Sequence, residues 1–350
     1  MRLLFASLGL VLSGLPAIAG SPAEARMNEA RVRVEQAKTS AQPTEHADAL
    51  IALASAHTAR AREIADSTHY DMALALLDEA RRVAPDRAPI DKIEAWTRLG
   101  RHEFGTAERL ARKTTAAHPE DAEAWGILGD ALMELARIEE AGEAYQTMMN
   151  RKPGPGAYQR AAFYRERMGD LKGATTFLER AFAATARREH EQRAWLLVQL
   201  AAIDRKQERT ARAVYRLEEA LALFDDYHYA LAPLAELSLE AGQKKKALAR
   251  AKRLVAVAPH AEHFLLLADA LRATGDACAA REAEDEFERR ALLKVTSPDS
   301  ENLFLIDYYL LRRPEPARAV ELARLEAARR AGPEGFERLA GAIEQAAVRE

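Results

Sequence analysis

A chain of 350 residues, 48% hydrophobic and 30% charged, can bury a continuous core, and its 17 glycines and 14 prolines are spread along it instead of gathering in a linker. Ala, Leu, Glu and Arg dominate, residues that lose little on entering a helix, and the alternating β-branched runs of a sheet are absent. The formal charge of −3, with Lys and Arg interleaved with Asp and Glu, gives no basic stripe and argues against nucleic acid as a partner.

The first element in chain order reads as an export signal. Arg2 precedes an apolar stretch from Leu3 to Leu15; Pro16 breaks it, and Ala17-Ile18-Ala19 supplies a small-x-small cleavage pattern. The stretch is shorter than the roughly 20 apolar residues of a membrane helix. Residues 1–19 are therefore expected to be a signal peptide cleaved after Ala19, which implies a periplasmic or secreted chain with no integral span after cleavage. An uncleaved anchor is the alternative.

Ser21-Pro22-Ala23-Glu24 next reads as a helix start: Ser as N-cap, Pro in the first turn, Glu reaching back. Met27, Ala30, Val34 and Ala37 form one apolar stripe, before a loop over 39–44. Residues 20–53 are expected to be an N-terminal helical cap.

From there the sequence repeats itself. Trp125-x-x-Leu128-Gly129-x-x-Leu132 is followed by Ala141, Tyr145, Met148 and Pro153. The same register recurs about every 34 residues, with copies beginning near 54, 88, 122, 155, 194, 228, 261 and 300. One small residue marks every copy: Ala73, Ala107, Ala141, Ala174, Ala213, Ala247, Ala280 and Ala319. This pattern resembles the tetratricopeptide repeat family, of the bacterial exported type. The resemblance implies an all-α, right-handed α-solenoid of about eight helix-turn-helix repeats over 54–333. Phe336, Leu339 and Ile343, at spacings of three and four, then read as an amphipathic capping helix over 334–350, with a partner-binding tail as the alternative. Physically, the alanine lets two helices approach closely, and large residues fill the space between hairpins. A glycine at position 15 takes the left-handed turn.

Three departures are visible. Gly100 lies two positions before the usual turn glycine and predicts a shifted turn; Thr185–Arg193 adds residues, predicting a longer second helix; and Leu292–Asp299 separates the last copy from the rest. Cys278 stands alone, so no internal disulfide forms, and a thiol packed as a small apolar residue is expected, with an intermolecular bridge as the alternative.

Catalytic signatures are missing. Neither His102-Glu103 nor His190-Glu191 continues into a zinc-protease motif, and nucleophile elbows, phosphate loops and dinucleotide fingerprints do not occur. His260 and His263 are read as a surface pair, not a metal site. No catalytic residue, metal or cofactor is expected, and the chain reads as a non-enzyme.

What the resemblance does imply is a concave groove. Family groove positions, carried onto this sequence, fall at Trp96, Phe163, Arg167, Trp195, Arg205, Tyr229, Arg272 and Tyr308. Lys92 occupies the position of the family's carboxylate-clamping Lys, but Trp96 stands where the clamp has Asn, which argues against a receptor for chaperone tails. Aromatic and Arg side chains are common interface anchors; the alternative is that several of these aromatics are core. The expected function is a scaffold or adaptor binding a protein or extended peptide, with a place in envelope assembly by analogy. A polysaccharide-binding export accessory and an unrecognised enzyme are the alternatives.

Overall fold

Each of the eight marker alanines is fully buried, at 0% exposure, and successive members are 34, 34, 33, 39, 34, 33 and 39 residues apart. A residue that small at a helix crossing lets two backbones approach, and the approach is what pairs the helices. The computed structural model describes residues 22–39, 42–64, 66–296, 302–329 and 341. The signal-peptide reading of 1–19, the Ser21 cap, residues 297–299 of the Leu292–Asp299 separation and, apart from residue 341, the capping helix over 334–350 lie outside the described residues.

Seventeen α-helices and no strands are found among the described residues: α1 (Pro22–Ala37), α2 (Pro43–Ile64), α3 (Thr68–Val83), α4 (Pro89–Gly100), α5 (Phe104–Ala117), α6 (Ala122–Glu134), α7 (Ile138–Arg151), α8 (Pro155–Arg167), α9 (Leu171–Ala184), α10 (His190–Lys206), α11 (Thr210–Leu223), α12 (His228–Glu240), α13 (Lys244–Val257), α14 (Ala261–Thr274), α15 (Ala277–Leu293), α16 (Leu303–Leu311) and α17 (Pro316–Arg329). From α2 onward they pack as eight antiparallel hairpins, and α1 packs on α2. The stripe on α1 does this work: Met27, Ala30 and Val34 are buried in one cluster with Leu50, Leu53 and Leu77.

Every internal hairpin turns on a left-handed residue at position 15. His102, Ala136, Gly169, Glu208, Gly242 and Gly275 all have positive φ. Gly100 is therefore not a shifted turn. It remains in α4, where an added Cβ would lie 2.4 Å from the Tyr70 ring, so its role is close packing. The boundary expected at 53/54 also fails, because α2 continues through it from Pro43; the first repeat simply has a long first helix.

The two 39-residue steps mark structural seams. Thr185–Arg193 does not lengthen a second helix: α9 stops at Ala184, and the extra residues make a turn and extend the first helix of the next hairpin, α10. First helices touch their neighbours at α2–α4, α4–α6, α6–α8, α10–α12 and α12–α14, while α8–α10 and α14–α16 pack less closely. Within the α10–α11 hairpin that follows the first seam, fully buried Asp204 ties down the turn between the two helices through Arg209 Nε at 2.8 Å and meets Arg216 Nη1 on α11 at 3.0 Å. Such an acid is tolerated inside only because several guanidinium groups meet it. Cys278 departs from expectation too: it is exposed, at the start of α15. His260 and His263 stack at 5.4 Å, but His263 is mostly buried and its Nδ1 lies 2.7 Å from the Ala258 carbonyl, so the two are not a simple surface pair.

Candidate ligand cavity

First helices of successive hairpins line the inner curve of the solenoid, and in this chain the curve closes on itself. Arg62 on α2 reaches Glu191 on α10, with Nη2 donating to both carboxylate oxygens at 2.9 and 3.2 Å. Arg26 on α1 lies 3.8 Å from Glu189 in the inserted turn. The Arg62 guanidinium also covers the Trp195 ring at 5.6 Å, and Glu191 accepts a hydrogen bond from the buried Tyr227 hydroxyl at 2.8 Å. Five hairpins are thus drawn into a ring.

Inside the ring is a cavity of about 1210 Å3, walled by α1, α2, α4, α6, α8 and α10. One wall is built from small side chains, Ala52, Ser55, Ala56 and Ala59 at helical spacing on α2. Facing elements bring Trp96, Phe163 and Trp195 to the same space. Phe163 is 38% exposed, so its ring is available for contact.

The charged side chains of the wall are engaged with one another. Asp130 on α6 receives Arg160 Nε at 2.9 Å and Arg160 Nη2 at 2.7 Å, together with the Tyr145 hydroxyl at 3.0 Å. Burial, with the Asp130 carboxylate beside it, pushes the Tyr145 phenol well up from its ordinary pKa. Lys92 Nζ donates to Asp121 at 2.8 Å and to Glu123 at 3.3 Å. Burial opposes the Lys92 charge, but these two acids outweigh it and raise its pKa. The lysine that would clamp a carboxylate in the related pattern is therefore already committed.

Of the eight groove residues expected from sequence, three converge: Trp96, Phe163 and Trp195. Tyr229 backs the site, its ring edge-on to Trp195 at 4.9 Å. Arg167 is exposed at the end of α8, away from the cavity wall. Arg205 on α10 bridges Glu236 at 2.7 Å and Glu240 at 2.9 Å on α12, and Arg272 on α14 bridges Glu284 at 2.7 Å on α15, so both brace neighbouring helices. Tyr308 is a correction: at 3% exposure it belongs to the core of the last hairpin, edge-on to Phe287 at 5.0 Å. Its ring packs there with Phe287, Leu305, Ile306 and Tyr309 in one cluster. Sequence reading missed the α1 wall, including Arg26 and Arg33; the spacing of Glu29, Ala30 and Arg33 beside the apolar stripe was the available signal. Among the described residues, no group of three or more His, Cys, Asp or Glu side chains is placed to hold a metal ion, and no helix is long and apolar enough to cross a membrane.

The hairpin stack and its concave cavity define the class: an all-α solenoid of helical repeats. No family model matches the chain, and no curated protein matches it in sequence. Solved structures do match. A chain of the APC/C heterotetramer Cut9–Hcn1 shares 16% identity with a TM-score of 0.58, covering 89% of this chain and 59% of its own length, so the present chain spans about three fifths of that relative. The human IFIT1 dimer with m7Gppp-AAAA shares 15% identity with a TM-score of 0.55, covering 91% and 77%. A tetratricopeptide repeat protein from Parabacteroides merdae shares 12% identity over 67% of this chain and 91% of its own, with a TM-score of 0.47. The fold is the tetratricopeptide-repeat solenoid.

Proposed function

We propose that this chain is a non-catalytic interaction scaffold that holds an extended peptide segment of a partner protein inside the ring formed by α1 to α10. One observation carries the reading: three aromatic side chains from three different hairpins, Trp96, Phe163 and Trp195, open onto one cavity of about 1210 Å3. That exceeds the 300–1,000 Å3 that serves small molecules, and convergent aromatics are the usual anchors of a bound chain. An RNA ligand, as in the human IFIT1 structure, would call for unpaired cations, whereas Lys92, Arg62 and Arg160 are each matched by carboxylates.

The test places a photo-crosslinking phenylalanine at Phe163 of the full chain and exposes it to envelope extract. A polypeptide adduct, lost when Trp96→Ala and Trp195→Ala are combined in a chain that still folds, supports the reading. Adducts unchanged by those substitutions reject the cavity as the binding site. Adducts that are glycan and contain no peptide favour the polysaccharide alternative. Export is part of the same proposal and rests on the pattern Arg2, Leu3–Leu15 and Ala17-Ile18-Ala19. A mature N-terminus at Gly20 in the periplasm or medium supports it, and an intact Met1 in the cytoplasm rejects it.

A further inference from the structure

The cavity wall separates its polar groups into two sets. Its charged members are almost all neutralised within the chain: Glu29 by Arg33 at 2.6 Å, Lys92 by Asp121 at 2.8 Å, Asp130 by Arg160 at 2.7 Å and Glu166 by Lys206 at 2.8 Å. Arg62 is held by Glu191 at 2.9 Å. Arg26 meets Glu189 more loosely, and Lys152 is the one lining charge without an ion pair among the described residues; both sit at the margin, well exposed.

The uncharged polar members are the opposite. Ser55, Gln159, Gln192 and Gln199 line the cavity and make no side-chain hydrogen bond among the described residues. Gln192, Trp195 and Gln199 lie three and four residues apart, so they form one stripe on α10. Trp195 Nε1 is shielded from solvent and has no acceptor. A buried N–H left unpaired costs stability in the empty ring, and a rotation of the indole that brought it to the cavity surface would let a carbonyl oxygen supplied from outside repay that cost.

We infer that the segment entering this cavity is an uncharged peptide, with apolar or aromatic side chains against Trp96, Phe163 and Trp195, its backbone amides bonded by Gln192 and Gln199 and one carbonyl accepting from Trp195 Nε1. The inference rests on the peptide reading above and sharpens it. A carboxylate or ammonium brought into the ring would face side chains whose charges are already spent, and would lose its water without compensation. An uncharged chain gives up less water and finds free amides.

The experiment pans a random short-peptide phage library against the full chain and measures the affinity of synthetic enriched peptides at low and high salt. The expected consensus lacks Asp, Glu, Lys and Arg in its central positions, and its affinity changes by less than about twofold with salt. Trp195→Phe, which keeps an aromatic ring but removes the N–H, weakens binding by about tenfold. A charged consensus with strong salt dependence overturns the inference and leaves the peptide reading standing. Unchanged affinity in Trp195→Phe overturns the role given to the indole. Failure to enrich any peptide over Trp96→Ala/Trp195→Ala overturns the peptide reading itself.

Discussion

Arg62 and Glu191 are 129 residues apart in sequence and form a two-point ion pair, one guanidinium nitrogen lying 2.9 and 3.2 Å from the two carboxylate oxygens. Most of the carboxylate is withdrawn from water, while the Arg62 side chain keeps 43% exposure. Glu191→Ala therefore strands the Tyr227 hydroxyl as well as the arginine, and is expected to cost roughly 2–4 kcal/mol in urea unfolding. Arg62→Ala should cost less, since solvent screens its side of the pair. Small-angle scattering supplies the second readout: both variants should show a larger radius of gyration as α2 parts from α10. An unchanged radius in both would mean that the pair does not hold the ring.

Glycine substitutions separate packing from helix propensity. An added Cβ at Gly129 would lie 2.3 Å from the Tyr145 ring, which is buried and anchored on Asp130, so Gly129→Ala is expected to destabilise by about 1–3 kcal/mol. At Gly105, within α5, nothing lies within 4 Å, and Gly105→Ala should stabilise by up to about 1 kcal/mol. Thermal unfolding of the two variants should shift in opposite directions.

The left-handed turns give a third test. Ala136 has φ 58° at an exposed position where Gly242 and Gly275 sit in equivalent turns. Ala136→Gly relieves that strain and should raise stability by roughly 0.5–1 kcal/mol despite the added chain entropy, while Gly275→Ala should lower it by about 1 kcal/mol. Equal and unchanged melting curves would refute the assignment of strain.

Acid should loosen the fold through buried imidazoles. His57 and His69 approach Nδ1 to Nδ1 at 2.8 Å across α2 and α3, one ring donating and the other accepting. Burial, then the neighbouring His69 ring and Arg31, lower the His57 pKa to about 4. Burial, with His263 and His260 nearby, takes His228 to about 3. The unfolded chain, with imidazoles near the ordinary value of about 6.5, binds more protons below that pH, so stability rises with pH there. Their contribution is full above pH about 6.5 and is lost as pH falls toward 4, about 2 kcal/mol from His57 alone by pH 5. The slope of melting temperature against pH should flatten in His57→Leu/His69→Leu; an equal slope would place the acid sensitivity elsewhere.

The hairpins were legible because a helix crossing tolerates few side chains. Ala73 through Ala319 announce eight crossings one by one, and all eight are buried as their spacing predicts. The turns were legible only in part, since His102, Ala136 and Glu208 adopt the conformation that glycine would have advertised. Trp96, Phe163 and Trp195 could be placed on inner faces by register alone, whereas Tyr308, carried over by the same register, turns into the core of the last hairpin against Phe287. The ring itself was hidden, because Arg62 and Glu191 are ordinary helix residues until four hairpins of curvature bring them together.

An open solenoid can gain or lose a unit with little consequence beyond the two interfaces concerned. Between Arg62 and Glu191 this chain has given up that freedom, for the arc from α2 to α10 has a fixed circumference. One more hairpin there would overshoot the latch and one fewer would fall short, and either would dissolve the chamber. Length variation among relatives should therefore spare the arc from α2 to α10.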